Sequence, residues 1–519
     1  MQKQEGSELK RKRWYPSNSI PRMVFVGISV CLQAGWILLM ALVLNEHYRW
    51  IELVTRILSL LVILQLNGKY TNVAYKMPWI MLIMAFPVMG VSLYVMLGIF
   101  SDMGNTGKRM QAARASAREY LPENTDAARI LRRLDLPGAA LGDYLERKLQ
   151  CPVWQDTDVR YFGEAADAFA AMKADLENAR SFIFMEYFIV SEGSAFEELR
   201  EILVRKAGEG VDIRFMYDDM GSVGYVNLLF AKKLMDAGIQ CMVFNPAIPV
   251  LNLFMNHRDH RKITVIDGKV GYTGGFNLSD EYFDRRIAFG KWKDTGIRLE
   301  GDGVRSLTAA FLEMWSVSSR KQEPMAPFLQ VEHRVPGGSG FVQPYEDNPL
   351  GRERVAESVY LNLIYAARDY LYIITPYLII TDEMTNALAL AAKRGVDVRI
   401  LTPGIPDKKT VYAVTRSYYA GLIRQGVRIF EYTPGFCHAK QILCDGQTAS
   451  IGTSNLDYRS LYLHFENNVL LYGGEAVTKI AEDFEKLFHQ SREVTDTYRR
   501  QSLAMRIWQY ILRLFAPLM

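Results

Sequence analysis

His260-Arg261-Lys262-Ile263-Thr264-Val265-Ile266-Asp267 is followed shortly by Gly274-Gly275-Phe276-Asn277. The pattern returns as His438-Ala439-Lys440-Gln441-Ile442-Leu443-Cys444-Asp445 and Gly452-Thr453-Ser454-Asn455. In both copies His to Lys is two residues, Lys to Asp five and His to Asn seventeen. A His-x-Lys-x4-Asp-x6-Gly string arises by chance in fewer than roughly one chain in a thousand. Two copies at identical offsets therefore mark a duplicated functional unit.

Side chains alternate faces along a strand, so His260 and Lys262 share one face while Arg261 and Ile263 take the other, and His438 and Lys440 repeat this. Asp267-Gly268 and Asp445-Gly446 are tight-turn dipeptides that would end the strand and open a hairpin. The two aspartates thus have a structural reading, bonding turn amides or a nearby cation, beside a catalytic one. Gly274-Gly275 and Gly452 permit close backbone approach to a ligand and carry Asn277 and Asn455 towards the histidines.

The duplication extends outward. Ala179-Arg180-Ser181-Phe182-Ile183-Phe184 is matched by Ala367-Arg368-Asp369-Tyr370-Leu371-Tyr372, and Gly210-Val211-Asp212-Ile213-Arg214 by Gly395-Val396-Asp397-Val398-Arg399. These are short buried strands, with helical spacing between them from Ala195 to Lys206. Pro336-Gly337-Gly338-Ser339-Gly340 reads as a connector between two α/β halves. Since each half brings one motif, one site shared between the halves is expected.

Face to face, the motifs supply two imidazoles, two ammonium groups and two carboxamides, a set suited to a phosphodiester. The lysines and amides would hold the non-bridging oxygens. One imidazole can attack phosphorus while the other protonates the leaving alcohol. No Asp/Glu cluster of metal spacing accompanies them, so the lysines stand in for a divalent ion and no metal or cofactor is expected. A nucleophilic histidine needs a carboxylate on its other ring nitrogen. Asp294 and Glu466, at comparable distances downstream of the motifs, are the candidates. His47, His257, His333, His464 and His489 read as packing or surface residues.

The chain has 519 residues, room for two or three domains with real cores, and a net charge of +4, too small to imply nucleic acid by itself. Five scattered cysteines (Cys31, Cys151, Cys241, Cys437, Cys444) argue against a disulfide framework and for a reducing compartment. Residues 24–44 and 78–100 are free of charge and long enough to cross a hydrocarbon layer of about 30 Å. Residues 57–66 are apolar but too short to span. Lys10-Arg11-Lys12-Arg13 precedes the first stretch, which lacks a signal-peptide cleavage site and so reads as a retained anchor. Basic residues flanking the pair (Lys108, Arg109, Arg114 and Arg118 after the second stretch) favour both ends in the cytoplasm. In the tail, Leu503, Ile507, Tyr510, Leu514 and Leu518 recur at helical spacing among Arg499, Arg500, Arg506 and Arg513. That pattern suits an interfacial helix on anionic lipid or one packed on the domain surface.

Together with Asn256-His257-Arg258-Asp259, Asn455-Leu456-Asp457-Tyr458-Arg459-Ser460 and Thr375-Pro376-Tyr377, the duplicated motif resembles the phospholipase D superfamily from about residue 20 onward. The resemblance implies an α/β fold of two phospholipase D-like repeats packed as a pseudo-dimer, preceded by two transmembrane helices. The expected parts are an anchor (1–105), repeats at 120–330 and 341–495, and an amphipathic tail (496–519). The two spans place it in a bacterial inner membrane with a cytoplasmic catalytic domain.

The implied activity condenses two phosphatidylglycerols to cardiolipin plus glycerol through a phosphatidyl-histidine. The expected catalytic set is His260, Lys262, Asp267, His438, Lys440 and Asp445, with Asn277 and Asn455 on the phosphate and Asp294 and Glu466 orienting the imidazoles. His260 would be the nucleophile and His438 the acid and base, although the symmetric motifs allow the reverse. Relatives typically carry Ser where this chain has Gly275 and Thr453, so a hydroxyl survives only in the second half. The expected partners are phosphatidylglycerol and an anionic membrane, with no nucleic acid; oligomeric state is left open, a homodimer included. Rival readings are a phospholipase D using water, another headgroup-exchanging transferase, a nuclease, and a non-catalytic membrane scaffold.

Overall fold

Each sequence repeat folds as a β-sheet, and the two sheets have the same strand order. The computed structural model describes residues 24–25, 27–36, 39, 49–69, 72–99, 103–123, 125–247, 253–336, 338, 340–499, 502–514 and 516–518. The first repeat contributes β1 (Thr157–Phe162), β2 (Phe182–Tyr187), β3 (Asp212–Asp218), β4 (Gln240–Phe244), the two-residue β5 (Arg258–Asp259), β6 (Lys262–Ile266), β7 (Val270–Gly274), β8 (Lys291–Lys293) and β9 (Gly296–Gly301). The second contributes β10 (Phe341–Asp347), β11 (Tyr370–Ile374), β12 (Asp397–Pro403), β13 (Arg428–Tyr432), β14 (Gly435–Cys437), β15 (Gln441–Cys444), β16 (Thr448–Gly452), β17 (His464–Tyr472) and β18 (Ser491–Glu493).

The sheets run β1-β9-β7-β6-β2-β3-β4 and β10-β17-β16-β15-β11-β12-β13-β18. In both, three parallel strands (β2, β3, β4 and β11, β12, β13) adjoin the antiparallel motif hairpin. Helices such as Ser194–Gly208 and Asp382–Lys393 make the crossovers between the parallel strands. The halves share one core: Phe184, Val265 and Leu299 from the first pack in a single cluster with Ile374, Leu443 and Val469 from the second.

The motif hairpins β6–β7 and β15–β16 turn at Asp267-Gly268 (φ 53° and 66°) and Asp445-Gly446 (φ 51° and 62°). Positive φ at both central residues is what a type I′ turn requires. The Asp267 carboxylate also accepts from the backbone N–H of Arg180, Ser181 and Phe182, and Asp445 from those of Arg368, Asp369 and Tyr370. Each aspartate therefore pins the start of the neighbouring parallel strand. It sits seven residues along the chain from the histidine, roughly 23 Å away at the rise of an extended chain. These contacts fit the structural reading of Asp267 and Asp445.

The N-terminal part departs from the expected pair of spans. Residue 100 lies outside the described residues, and 78–99 do not form one helix: Val73–Ala85 and Pro87–Ile99 are separate 13-residue helices, each about 20 Å long at 1.5 Å per residue. Pro87 disfavours helical geometry at the residue before it, and Phe86 leaves the helix at φ −137° and ψ 76°. The apolar stretch 57–66 lies inside a third helix, Arg49–Gly68. Among the described residues no helix is long and apolar enough to cross a membrane. Residues 26, 37, 38 and 40–44 of the first expected span lie outside the described residues, as do the Lys10–Arg13 run, Gly337 and Ser339 of the connector, and Arg500. These helices pack on the second repeat: Asn72 Nδ2 donates to the Tyr462 hydroxyl (2.9 Å) and the Tyr75 hydroxyl to Tyr458 O (3.0 Å).

The tail forms helix Leu503–Leu514, which turns Arg513 and Gln509 towards the domain and leaves Leu503, Ile507, Tyr510 and Leu514 exposed. Arg513 Nη2 donates to Ser417 O at 2.6 Å, and its guanidinium lies over the Tyr418 ring.

Replacing Asp267 or Asp445 by Ala strips three amides of their acceptor, so stability should fall by about 1–3 kcal/mol, read as a lower Tm in thermal unfolding. Turnover per folded molecule should change less than roughly tenfold, since neither carboxylate reaches the imidazoles. Lost turnover at an unchanged Tm would return the aspartates to the chemistry.

Candidate active site

Two short strand pairings join the repeats, and both end at a motif histidine. β5 runs parallel to the start of β17, with Arg258 opposite His464 and Asp259 opposite Phe465. β8 runs parallel to β14, with Lys293 opposite Cys437. One residue on, His260 N–H donates to Phe465 O (3.0 Å) and His438 N–H to Lys293 O (2.7 Å). The residues after those carbonyls are Glu466 and Asp294. Each carboxylate is thereby carried to the histidine of the opposite repeat: His260 Nδ1 lies 2.9 Å from both Glu466 oxygens, and His438 Nδ1 2.7 Å from Asp294 Oδ2. The candidates Asp294 and Glu466 are both in place, but crossed between the halves.

The motif lysines are buried on the same face, 1% exposed. Lys262 Nζ donates to His260 O, and Lys440 Nζ to His438 O while lying 2.8 Å from His438 Nδ1. Arg261, on the opposite face as the alternation requires, is buried in ion pairs with Glu186, Asp259 and Glu346, the last on β10 of the second repeat. Arg258 pairs with buried Asp218 at 2.9 Å. These pairs fix both sides of the strand that carries His260.

At the position equivalent to Thr453, Gly275 passes so close to Asp294 that a Cβ there would stand 2.1 Å from Oδ1. Thr453 instead donates its hydroxyl to Glu466 Oε2 and accepts from Asn467 N–H at 2.9 Å. The surviving hydroxyl therefore braces a carboxylate in place of facing a phosphate. Asn277 accepts from Ile189 N–H (3.0 Å) and donates to the Tyr282 hydroxyl (2.8 Å), which leaves one amide hydrogen for a ligand. Asn455 bonds to Asp457 and keeps a buried, unpartnered carboxamide oxygen.

His464, read from sequence as packing or surface, belongs to the site. Its ring centroid is 5.4 Å from that of His260, its Nδ1 is 3.7 Å from Glu466 Oε1, and both ring nitrogens are buried without a hydrogen-bond partner. The signal was present: His464 is two residues from Glu466 on one strand and so shares its face. His260, His464 and Glu466 place donor atoms within 4.8 Å of one another, a set able to hold a metal ion that spacing along the chain did not disclose. His257 is buried nearby, with Nδ1 2.9 Å from Leu463 O. Phe188 stands edge-on to His260, while Tyr282, Trp292 and Phe436 wall His438.

Burial dominates the electrostatics. It pushes His260 well below the ordinary imidazole range, helped by Lys262, His464, Lys440 and His438, so groups of both repeats act on one ring. Burial and Lys440 push His438 down to about 4 against the pull of Asp294. Lys262 is brought down to about 7 and Lys440 to about 8, again by burial, with Glu466 and Asp294 opposing. Glu466 is pushed up by burial against the Lys262 ammonium and the Thr453 hydroxyl. Burial thus favours neutral imidazoles and eases proton loss from the lysines, whose charged forms a bound anion would favour.

A family model described as "Cardiolipin synthase, PLD-like domain" matches residues 172–294 and 360–488, one segment in each repeat. A cardiolipin synthase of Geobacillus sp. (strain WCH70) is 34% identical over 86% of this chain and 89% of its own length. An uncharacterised protein of Streptococcus mutans serotype c is 42% identical over 85% of this chain and 96% of its own. The phosphatidylserine synthase of Haemophilus influenzae Rd KW20 superposes with a TM-score of 0.54 at 13% identity, covering 73% of this chain and 97% of that one, a likeness of fold. By these matches the chain belongs to the cardiolipin synthase family of phospholipase D-like enzymes.

Proposed function

We propose that the chain is a membrane phosphatidyltransferase that condenses two phosphatidylglycerols to cardiolipin and glycerol. The observation that carries this is the crossed pair of imidazole–carboxylate contacts, His260 with Glu466 and His438 with Asp294. In the reactive tautomer each Nδ1–H donates to its carboxylate and each Nε2 lone pair is free for the substrate. The Lys262 and Lys440 ammonium groups and the free amide hydrogen of Asn277 take the non-bridging oxygens.

His260 Nε2 attacks the phosphorus of the first lipid. The P–O bond to the departing glycerol breaks, and His438 gives that oxygen its proton. The second phosphatidylglycerol then places a headgroup hydroxyl at the phosphatidyl-histidine. His438 takes the hydroxyl proton, the oxygen attacks phosphorus and the P–N bond breaks. One phosphodiester replaces another, so no nucleotide drives the exchange. Substrate anion beside His438 offsets the depression of its proton affinity, which lets it serve as acid in the first half and base in the second. The reading places the chain in a bacterial inner membrane with its catalytic repeats, 120–330 and 341–495, in the cytoplasm. The exposed apolar residues of the N-terminal helices, Leu60, Leu61 and Leu64 among them, and of the tail helix support contact with lipid.

Incubated with phosphatidylglycerol, the purified chain should release glycerol and cardiolipin by mass spectrometry, and phosphatidic acid without cardiolipin would overturn the condensation. His260→Ala should abolish both products and any covalent phosphatidyl-enzyme, whereas His438→Ala should slow both half-reactions while leaving His260 as the residue that carries whatever phosphatidyl group is trapped. Glu466→Gln and Asp294→Asn, which spoil the tautomer and not the shape, should each lower kcat by on the order of 10²–10⁴-fold. A loss smaller than tenfold would leave the carboxylates a packing role.

The pH profile follows from the lysines. They are charged below their depressed pKa values and neutral above, so kcat/KM for the free enzyme should fall as pH rises through about 7 to 8. On the acid side it should hold until the nucleophile His260 gains a proton, which burial delays to well below the ordinary imidazole range. An alkaline limb beyond about 10, the range of ordinary lysines, would contradict this account.

A further inference from the structure

A groove of about 550 Å³ separates the N-terminal helices from the second repeat, a volume within the range of about 300–1,000 Å³ usual for ligand pockets. Its wall is apolar and aromatic, with Leu66, Trp79 and Tyr94 on the helices facing Leu361 and Leu463 on the repeat. Four cations line it from both sides: Lys69 and Lys76 from the helices, Arg352 and Arg354 from the repeat. Two carboxylates line it too, Glu383 and Glu357, the latter accepting from the Tyr462 hydroxyl (2.8 Å) and Thr381, so positive groups outnumber negative by four to two.

The groove lies between helices that expose apolar side chains and a wall that adjoins residues next to the active site. Outward, the same helices expose Leu53, Leu60, Leu64, Met81 and Met84. Inward, the wall ends at His257 and Leu463, which are joined by a 2.9 Å hydrogen bond. The residue after Leu463 is His464, whose ring lies 5.4 Å from that of His260. An occupant that suits this lining is anionic at one part and apolar at another.

We infer that this groove binds an anionic glycerophospholipid in transit. Its phosphate sits among Lys69, Lys76, Arg352 and Arg354, and its acyl chains lie along Trp79, Tyr94 and Leu66. The inference rests on the phosphatidyltransfer proposed above and gives the N-terminal helices a substrate-binding role beyond attachment. Aromatic rings at headgroup depth and basic side chains near an anionic surface are the groups that suit such a site.

The test uses the full chain in vesicles of phosphatidylglycerol and phosphatidylcholine, with a trace of phosphatidylglycerol carrying a photoactivatable diazirine on one acyl chain. Peptides spanning 66–94 and 352–361 should carry the label, and excess phosphatidylglycerol, not phosphatidylcholine, should suppress it. The double variant Lys69→Glu and Arg352→Glu should cut labelling and raise KM for phosphatidylglycerol by roughly tenfold, with kcat within twofold. Arg352→Gln, at an exposed position, should move both in the same direction by a smaller factor if the double variant misfolds. Label confined to other peptides, or a KM indifferent to these charges, would overturn the groove. Labelling is read without turnover, so the two readings fail separately. Cardiolipin formed over an unlabelled groove sinks only the groove, and a labelled groove yielding phosphatidic acid sinks only the condensation.

Discussion

The site depends on a carboxylate from one repeat reaching the imidazole of the other. Neither half holds a complete His–carboxylate pair: His260 takes Glu466 and His438 takes Asp294. The backbone enforces the crossing. In both halves the histidine N–H binds the carbonyl just before the carboxylate residue, Phe465 in one and Lys293 in the other. A bond that fixes the main chain one residue away leaves the side chain little freedom in direction. The orientation is set by strand pairing before any side-chain rotamer is chosen, and folding of the two halves and formation of the site become one event.

Such a site has to be held against its own electrostatics. Two lysines, three imidazoles and two carboxylates lie buried together, where an isolated ion would be driven neutral. The groups respond in the expected directions, with lysines and histidines lowered and Glu466 raised. On the opposite face of β6 lies a second buried network, Arg261 with Glu186, Asp259 and Glu346. It contains a charge that cannot be neutralised by proton loss, since a guanidinium keeps its proton. Removing one partner would strand a buried charge, so the strand carrying His260 is held by a contact that tolerates little displacement. The reactive face can be adaptable in charge because the other face is not.

The doubled hairpin was legible in sequence because its determinants are local: a period of two, an Asp-Gly turn and a duplicate to compare. The aspartates' place in a turn was legible for the same reason, through the Asp-Gly dipeptide, whereas sequence left their role open between structure and catalysis. The crossing was not legible. Asp294 lies 144 residues from His438, and Glu466 206 from His260, and no local rule says which pairs with which. His464 was missed although its alternation with Glu466 could have disclosed it. Hydropathy misjudged residues 78–100 because it counts apolar side chains, whereas continuity of the helix is decided by Pro87. In the tail, periodicity located the helix but could not say that Arg513 would turn inward and Leu503 outward.

Symmetry left the roles of the two histidines interchangeable in sequence, and the structure carries asymmetries that bear on them. The His260 side has the longer carboxylate, a hydroxyl brace from Thr453 and a third imidazole at 5.4 Å. The His438 side has Asp294 pressed onto Gly275, and Lys440 at 2.8 Å from the ring nitrogen. His260 is lowered well out of its usual range, first by burial and then by cationic and imidazole neighbours, whereas His438, lowered by burial and Lys440 against the pull of Asp294, rests at about 4. A nucleophile is best as a ring that stays unprotonated, while an acid and base must gain and lose a proton within one cycle. These asymmetries are compatible with the proposed assignment of His260 to phosphorus and His438 to the alcohols, and they arise from which neighbours each crossing strand brings along.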